Sequence, residues 1–431
     1  MNESLFIELV KSWFPTYAKE IEKKINDKKE EDKLFFEKML SVEFSPNMRW
    51  DSMSTNESVV AADLVSLDSE LPLKSRGSLS RASGDIPKLG LKMQKDEKLV
   101  EDIELMRARG AKETEIVNRI FEDLPKVVAG IRMKLEIMFL QAISTGCTSI
   151  DSETNTGIAV RVKFNIPDKN KYGVAKKWGN PDSKPLTDIE RIISAAAEDP
   201  ENKVVFTTIM LSQKRYNQLR KSDEVKDLYA RHIGFMGENK VSPTPSKFNE
   251  AFYDEYKIKF IVVDSAITIE KNGKKTAIRP FDENAVVFLT TEQVGRLFYG
   301  KLVEESNPVR NVEYQKIGAY TLVSKWSVND PYREFTGAQS KSLPVLDNTD
   351  SIYLMDTTKT VKPAADEVEG DDDITVFGET VLKADVVAAL KAMGVSVPGN
   401  PNKITDAKLL EKIGGLSDAQ KEELKTKLGI A

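Results

Sequence analysis

The chain has 431 residues, with 63 Lys and Arg against 68 Asp and Glu and a formal net charge of −5. Domains usually run to roughly 100–200 residues, so one principal domain with appendages fits as well as three equal ones, and a charge this mild argues against a dedicated nucleic-acid binder, which would be basic. Cys147 is the single cysteine and His232 the single histidine, which excludes an intramolecular disulfide and a cysteine metal cluster and leaves zinc, Ser-His-Asp and Cys-His chemistry without partners.

The opening residues carry Glu3 and Glu8 and lack the basic region and small-residue cleavage site of a signal peptide. No stretch of about 18 uncharged apolar residues occurs, so the protein is expected to be soluble, intracellular when made and without membrane contact. Leu5, Phe6, Leu9 and Val10 and, after Pro15, Tyr17, Ile21 and Ile25 fall at spacings of three and four. They predict a helical N-terminal arm over residues 1–43. The mixed charges of Lys19 to Lys33 read as its solvated face.

An extended loop is predicted over residues 44–95, where Ser, Pro and Gly dominate and short β-type runs stand at Ser58 to Ala61 and Leu64 to Leu67. A segment this long with no core of its own usually embraces a neighbour. Between Pro72 and Lys95 there are six cations, Lys74, Arg76, Arg81, Lys88, Lys92 and Lys95, against Asp85 alone. That surplus suits an acidic surface on another subunit, with nucleic acid as the alternative, and makes Lys74, Arg76, Arg81 and Lys88 the candidate interface residues.

Residues 96–355 are predicted to form the body. Ile116, Ile120, Leu124, Val127, Ile131, Leu135, Met138 and Ala142 keep one face of a single long helix, which Pro125 should kink and Gly146 should end. Gly157 to Pro167 alternates as a long half-buried strand. Thr187-Asp188-Ile189-Glu190 reads as a capping box opening a helix with Ile189, Ile192, Ile193 and Ala196. Val204 to Met210 reads as a strand, after which Ser212 caps another helix. Phe260 to Val263 and Ala285 to Leu289 read as strands, with a turn at Asn272-Gly273. Alternating helices and strands make this a mixed α+β domain.

After Met355 an acidic linker over residues 356–374 is predicted, with Asp366, Glu367, Glu369, Asp371, Asp372 and Asp373 crowded together. A small helical module over residues 375–431 follows. Val381, Leu382, Val386, Val387 and Leu390 form one stripe, and Leu409, Leu410 and Ile413 another. A third helix begins at the capping box Ser417-Asp418-Ala419-Gln420 and ends at Gly429.

No chemical motif survives scrutiny. Gly273-Lys274-Lys275-Thr276 lacks the earlier glycine of a phosphate loop, Thr268 standing in its place, and is better read as a hairpin turn. Gly295, Gly300 and Gly318 form no dinucleotide fingerprint, and His232 reads as structural or surface. No catalytic residue, metal ligand or cofactor is predicted.

The order of pieces, an arm, a basic extended loop, a long spine helix, a long strand and a mixed domain, resembles that of tailed-phage major capsid proteins. Several passages resemble the lambda-type capsid family: Ile131 to Met138 running to Gly146, Trp178 with Pro185 to Ile189, and above all Ile278-Arg279-Pro280-Phe281-Asp282, Ala285 to Leu289 and Gly295-Arg296-Leu297-Phe298-Tyr299-Gly300. The resemblance spans roughly Phe44 to Met355. It implies the tailed-phage major capsid fold with peripheral and axial domains, the axial one between roughly Pro185 and Val309. It implies a subunit made in the host cytoplasm that assembles as hexamers and pentamers into the icosahedral virion head, with scaffold and decoration proteins as partners and packaged DNA bound without sequence specificity. Some relatives join a Lys to an Asn of a neighbour, and Lys74 and Lys88 lie in the corresponding loop, although no Asn or assisting acid stands out. Two other readings remain open: the shell of a bacterial nanocompartment, and an enzyme whose carboxylates converge in a cleft.

Overall fold

The computed structural model describes residues 4, 6–55, 79–150, 160–200, 202–235, 237, 240–360, 373–377, 379–393, 395 and 406–428. Its contacts divide the chain into two units, Met1–Thr360 and Val361–Ala431.

In the first unit, helix α1 (Ile7–Asn26) runs through Pro15 without a break and buries Val10, Phe14, Ala18 and Ile21 on one stripe. The periodicity suggested two segments. Tertiary packing overrides the cost of an interior proline, because Phe14 before it and Tyr17 after it both stack on Phe121, with ring centroids 5.6 and 5.0 Å away. Helix α2 (Phe35–Met39) leads into strand β1 (Leu40–Phe44). Strands β2 (Arg49–Thr55) and β3 (Leu79–Asp85) pair antiparallel, and β4 (Lys88–Lys95) follows. Residues 56–78 lie outside the described chain.

Helix α3 (Glu97–Ala108) starts at Asp96, whose carboxylate accepts the Leu99 N–H at 3.2 Å. Helices α4 (Glu113–Phe121) and α5 (Leu124–Thr145) replace the single kinked helix expected from the periodicity. Pro125 lies in the first turn of α5 rather than mid-helix. There its missing N–H is one that no intrahelical carbonyl would have met, so it starts a helix instead of bending one. Gly146 ends α5 with φ 71° and donates its N–H to the Ala142 carbonyl at 2.8 Å.

Strand β5 (Cys147–Ile150) pairs antiparallel with β6 (Val160–Lys163), the part of the predicted Gly157 to Pro167 strand that is described. Then come β7 (Lys171–Val174) and α6 (Pro185–Glu198). The expected capping box at Thr187 is not formed. Pro185 sets the start of α6, and the carboxylate of Glu224, from a later helix, accepts the Leu186 N–H at 2.8 Å and the Thr187 hydroxyl. Strand β8 (Thr208–Ser212) passes into α7 (Gln213–Lys221), and Ser212 caps that helix as read from sequence. After α8 (Asp223–His232), α9 (Pro245–Tyr256) and β9 (Lys259–Val263), strands β10 (Ile267–Lys271) and β11 (Lys274–Ile278) form a hairpin. Its two-residue turn has Asn272 at φ 51° and Gly273 at φ 77°.

The remainder comprises β12 (Ala285–Leu289), β13 (Gly295–Tyr299), α10 (Val303–Ser306), β14 (Glu313–Ile317), β15 (Thr321–Val328), β16 (Arg333–Leu346) and β17 (Tyr353–Thr360). One mixed sheet has the order β1-β13-β16-β15-β14, with β4 also paired to β16. The other runs β7-β17-β12-β8-β9. A first core gathers α1, α4, α5 and the first sheet. A second lies between α6 to α9 and the second sheet, around Ile189, Leu219, Phe248 and Phe288. The spine helix α5 belongs to the first core and is buried nearly all round, with Leu135, Met138, Phe139, Leu140 and Ile143 at 0% exposure. Gly130 lets β4 approach it, since a Cβ there would stand 2.7 Å from a methyl of Leu91.

The second unit opens with a hairpin, β18 (Asp373–Val376) and β19 (Glu379–Leu382), rather than with helix. Val381 and Leu382 therefore sit in β19. Helices α11 (Lys383–Ala392), α12 (Asp406–Gly414) and α13 (Asp418–Leu428) follow. Val376, Val387, Leu390, Leu409, Ile413 and Leu424 form their own core. The Ser417 box is made: its hydroxyl accepts the Gln420 N–H at 3.4 Å and Gln420 Oε1 accepts the Ser417 N–H at 3.1 Å. Gly429 and the acidic residues before Asp373 lie outside the described chain.

Candidate assembly surface

The extended segment is anchored at its root. Ser52 donates its buried hydroxyl to the Leu346 carbonyl at 2.6 Å, and the Ile86 N–H reaches the Met48 carbonyl at 3.1 Å. Trp50 packs over Gly84, where a Cβ would stand 2.8 Å from its Nε1, and beside the Phe164 ring at 5.9 Å. Strand β4 then pairs residue for residue with β16, from Lys88 opposite Lys341 to Lys95 opposite Glu334. Among the described residues its outer edge pairs with no strand. An unpaired edge is a template for another chain.

Of the candidate interface residues, Lys74 and Arg76 lie outside the described chain. Arg81 stands on β3 opposite Met53. Lys88 places its ammonium 2.8 Å from Glu304 Oε1, and this hydrogen bond holds the Glu304 carboxyl below its ordinary range against the opposing effect of burial. Lys92 lies 4.9 Å over the Phe335 ring. Lys95 is not a surface cation at all. It is buried against Glu122 and, at 3.1 Å, Asp123, the two residues that separate α4 from α5. Burial works against ionisation of both acids, but their bonds to lysines prevail and lower both from the usual carboxylate range.

Sequence reasoning missed the charged anchors within the body. Arg132 on α5 grips Glu37 on α2 with two bonds of 2.7 and 2.6 Å. One turn on, the Glu136 carboxylate accepts the N–H groups of Phe35 and Phe36 at 3.1 and 3.0 Å and so caps α2 from another helix. Burial pushes the Glu136 carboxyl up to about 7, against those two N–H donors. Lys325 on β15 is fully buried, 3.9 Å from Glu334 on β16, and burial lowers its ammonium to about 8. Arg296 on β13 binds Asp347 with bonds of 2.6 and 2.9 Å and Glu43 on β1 at 2.8 Å. These bonds, that to Asp347 foremost, raise its guanidinium further above its already high value. Their partners are roughly a hundred or more residues apart for α2 with α5 and for β13 with β1, so no local pattern announces them.

No metal-binding group of acids, His and Cys occurs among the described residues. His232 Nδ1 stands 3.8 Å from Asp254 Oδ2 on a partly exposed surface, and Cys147 is half-buried. Asp188, raised by burial, is occupied as an acceptor from the Ala175 N–H and the Trp178 indole. The polar groups brace the body, and none of these arrangements joins a nucleophile to a base.

A sequence profile described as phage major capsid protein E matches residues 50–356. The chain belongs to that family. It is a shell-forming major capsid subunit, in keeping with the lambda-type resemblance, and its described elements have the α+β architecture read from the sequence. No curated protein sequence matches it. Among solved structures it is similar to a candidate prophage capsid protein of E. coli CFT073, at 16% identity, covering 79% of this chain and 98% of that one, with a TM-score of 0.48. It is also similar to a phage-related protein of Bordetella bronchiseptica RB50, at 13% identity, 80% and 98% coverage and a TM-score of 0.45. The capsid of cyanophage A-1(L) gives 12% identity, 78% and 96% coverage and a TM-score of 0.45. For a shell subunit the relevant chemistry is that of repeated interfaces. No helix is long and apolar enough to cross a membrane among the described residues.

Proposed function

We propose that the subunit assembles through hexamers and pentamers into the icosahedral virion head, enclosing packaged phage DNA that it contacts without sequence specificity. It is made in the host cytoplasm, meets scaffold and decoration proteins during assembly, and acts by its interfaces rather than by catalysis or with a cofactor. The body spans residues 96–355, the arm residues 1–43 and the extended loop residues 44–95. In this reading Lys74, Arg76, Arg81 and Lys88 form a clamp on the neighbouring copy.

The observation that carries the reading is the anchoring of the loop. Its root is fixed to the body by the Ser52 hydroxyl on the Leu346 carbonyl and by Trp50 and Ile86, which join the body's core. A segment held firmly at its base and supplied with cations is suited to reach another subunit. Electron microscopy of the purified protein tests this directly. Closed icosahedral shells containing DNA are expected when they are taken from infected or induced cells. Closed shells that hold protein cargo and no DNA would favour the nanocompartment reading, and failure to form shells would overturn both.

A further inference from the structure

A cavity of about 320 Å³ opens where the end of α1, the α2–β1 segment, the spine helix α5 and the β14–β15 turn meet. Its apolar lining is Ile25, Val42, Val128 and Ile317, and Val42 at its mouth remains 51% exposed. Small-molecule sites begin at about 300 Å³, so the space suits a compact body of a few carbon atoms.

The polar lining divides into groups that have partners and groups that do not. Arg132 binds Glu37 with bonds of 2.7 and 2.6 Å, and Lys33 is paired with Glu30, so these charges largely cancel. Glu22 makes no ion pair or hydrogen bond among the described residues. Nor does the hydroxyl of Tyr320, which burial raises above its ordinary value. Helix α1 ends at the same wall with Asn26, and the unmet carbonyls of its last turn add a partial negative charge. Lys23 and Lys24 in that turn are exposed and lie outside the lining.

One carboxylate, the negative end of a helix and a phenol therefore stand unmatched beside an apolar floor. An ammonium group on a short alkyl stem answers all of them. It donates charge-assisted hydrogen bonds to Glu22, meets the hydroxyl and the ring face of Tyr320, and lays its methylenes on the aliphatic side chains.

We infer that this cavity binds a primary alkyl ammonium, with its nitrogen at Glu22 and Tyr320 and its methylenes on Ile25, Val42, Val128 and Ile317. A free alkyl amine and a lysine side chain from another chain share this chemistry. Because the lining comes from the arm, the spine and the first sheet together, an occupant ties the arm to the body and stabilises its docked state by mass action.

The test uses the full chain and n-butylamine, with n-butanol as the uncharged counterpart. Calorimetric titration of the unassembled chain should show saturable binding of the amine and none of the alcohol, and hydrogen exchange from Ile25 to Val42 should slow as the amine binds. Glu22→Gln should weaken binding on the order of tenfold and Tyr320→Phe roughly threefold, with circular dichroism unchanged. Glu20→Gln removes the same charge from the exposed face of α1 and should leave binding as it was. Assembled shells separate the two sources: binding retained in shells assigns the site to a free amine, whereas binding lost on assembly assigns it to a neighbour's lysine. No saturable binding by the unassembled chain, unchanged binding by Glu22→Gln, or an equal loss in Glu20→Gln would overturn the inference. Whether shells form at all tests the proposed function separately.

Discussion

Glu136 on the spine helix accepts the Phe36 N–H at 3.0 Å, so the first turn of α2 is capped by a carboxylate exactly one hundred positions away in sequence. The charged groups acting on Glu136 are Glu37 and Lys38 on α2, while Arg132 on α5 and Glu37 face the neutral hydroxyl of Tyr320, which burial raises. Because Glu37 is itself gripped by Arg132, arm and spine share a small, largely dry polar junction.

The junction makes docking of the arm depend on pH. Burial raises the Glu136 carboxyl from 4.5 to about 7 in the docked state, so docking binds the proton more tightly. Its favourable contribution is full below the unfolded value near 4.5 and is lost as pH rises through 7, a change on the order of 3 kcal/mol. Hydrogen exchange at Phe35 to Met39, corrected for intrinsic rates, should show protection falling between pH 5 and pH 8. In Glu136→Gln that slope should vanish, and an unchanged slope would assign the titration to another group.

Lys325 and Glu334 give a second test. Removing one partner strands the other in a dry site, so Lys325→Met should cost about 3–5 kcal/mol, whereas Lys325→Met with Glu334→Leu should return to within about 1–2 kcal/mol of the parent. The lysine is lowered to about 8 in the fold against an ordinary value of 10.5. The fold therefore binds this proton less readily than the unfolded chain does. The resulting penalty is full below pH 8 and is relieved as pH rises toward 10.5. Urea titrations of the unassembled chain would measure both effects, and equal losses in the single and double variants would rule out the pair as a unit.

The basic half of the loop carries a separate expectation. Lys74→Glu, Arg76→Glu and Arg81→Glu together should leave the monomer's circular dichroism and melting unchanged but block assembly, since these residues are proposed to meet a neighbour. Sedimentation decides it: shells formed at the normal yield would show that these cations do not clamp. Lys88 is kept out of the set because it already binds Glu304 within its own chain.

Features that depend on local chemistry were legible in the sequence. Gly146 stops α5, Ser212 opens α7, Asn272-Gly273 turns the hairpin and Ser417 with Gln420 forms its box, because each needs only a few consecutive residues. What failed was decided at a distance. The Thr187 box lost its place to Glu224, Pro15 was overruled by packing on Phe121, and Pro125 starts α5 because Glu122 and Asp123 are held by Lys95 in a break between helices. On the candidate surface the surplus of positive charge was visible. That Lys95 is buried and Lys88 engaged was not, since their partners come from the break between α4 and α5 and from α10. The cavity at the end of α1 was equally hidden, because its walls come from separate stretches of chain.

The last prediction concerns the C-terminal module, for which the position of the cut is decisive. A boundary at Met355 looked natural in the sequence, yet β17 continues to Thr360. Within that extension Thr357 donates its N–H at 3.1 Å and its hydroxyl at 2.8 Å to the Asn284 carbonyl, and its own carbonyl accepts the Trp178 N–H at 3.1 Å. A chain ending at Met355 therefore leaves two groups, the Asn284 carbonyl and the Trp178 N–H, without these partners, each costing about 1–3 kcal/mol, and removes Asp356 from its place opposite Ala285 on β12. A chain ending at Thr360 removes none of them. The second unit has its own core around Leu390, Leu409 and Leu424 and its own box at Ser417, as an independent accessory would. Residues 1–360 should thus form shells of normal diameter in electron micrographs, while residues 1–355 should melt several degrees lower and assemble poorly. Failure of residues 1–360 to assemble, despite an unchanged melting temperature, would show that the module takes part in building the shell.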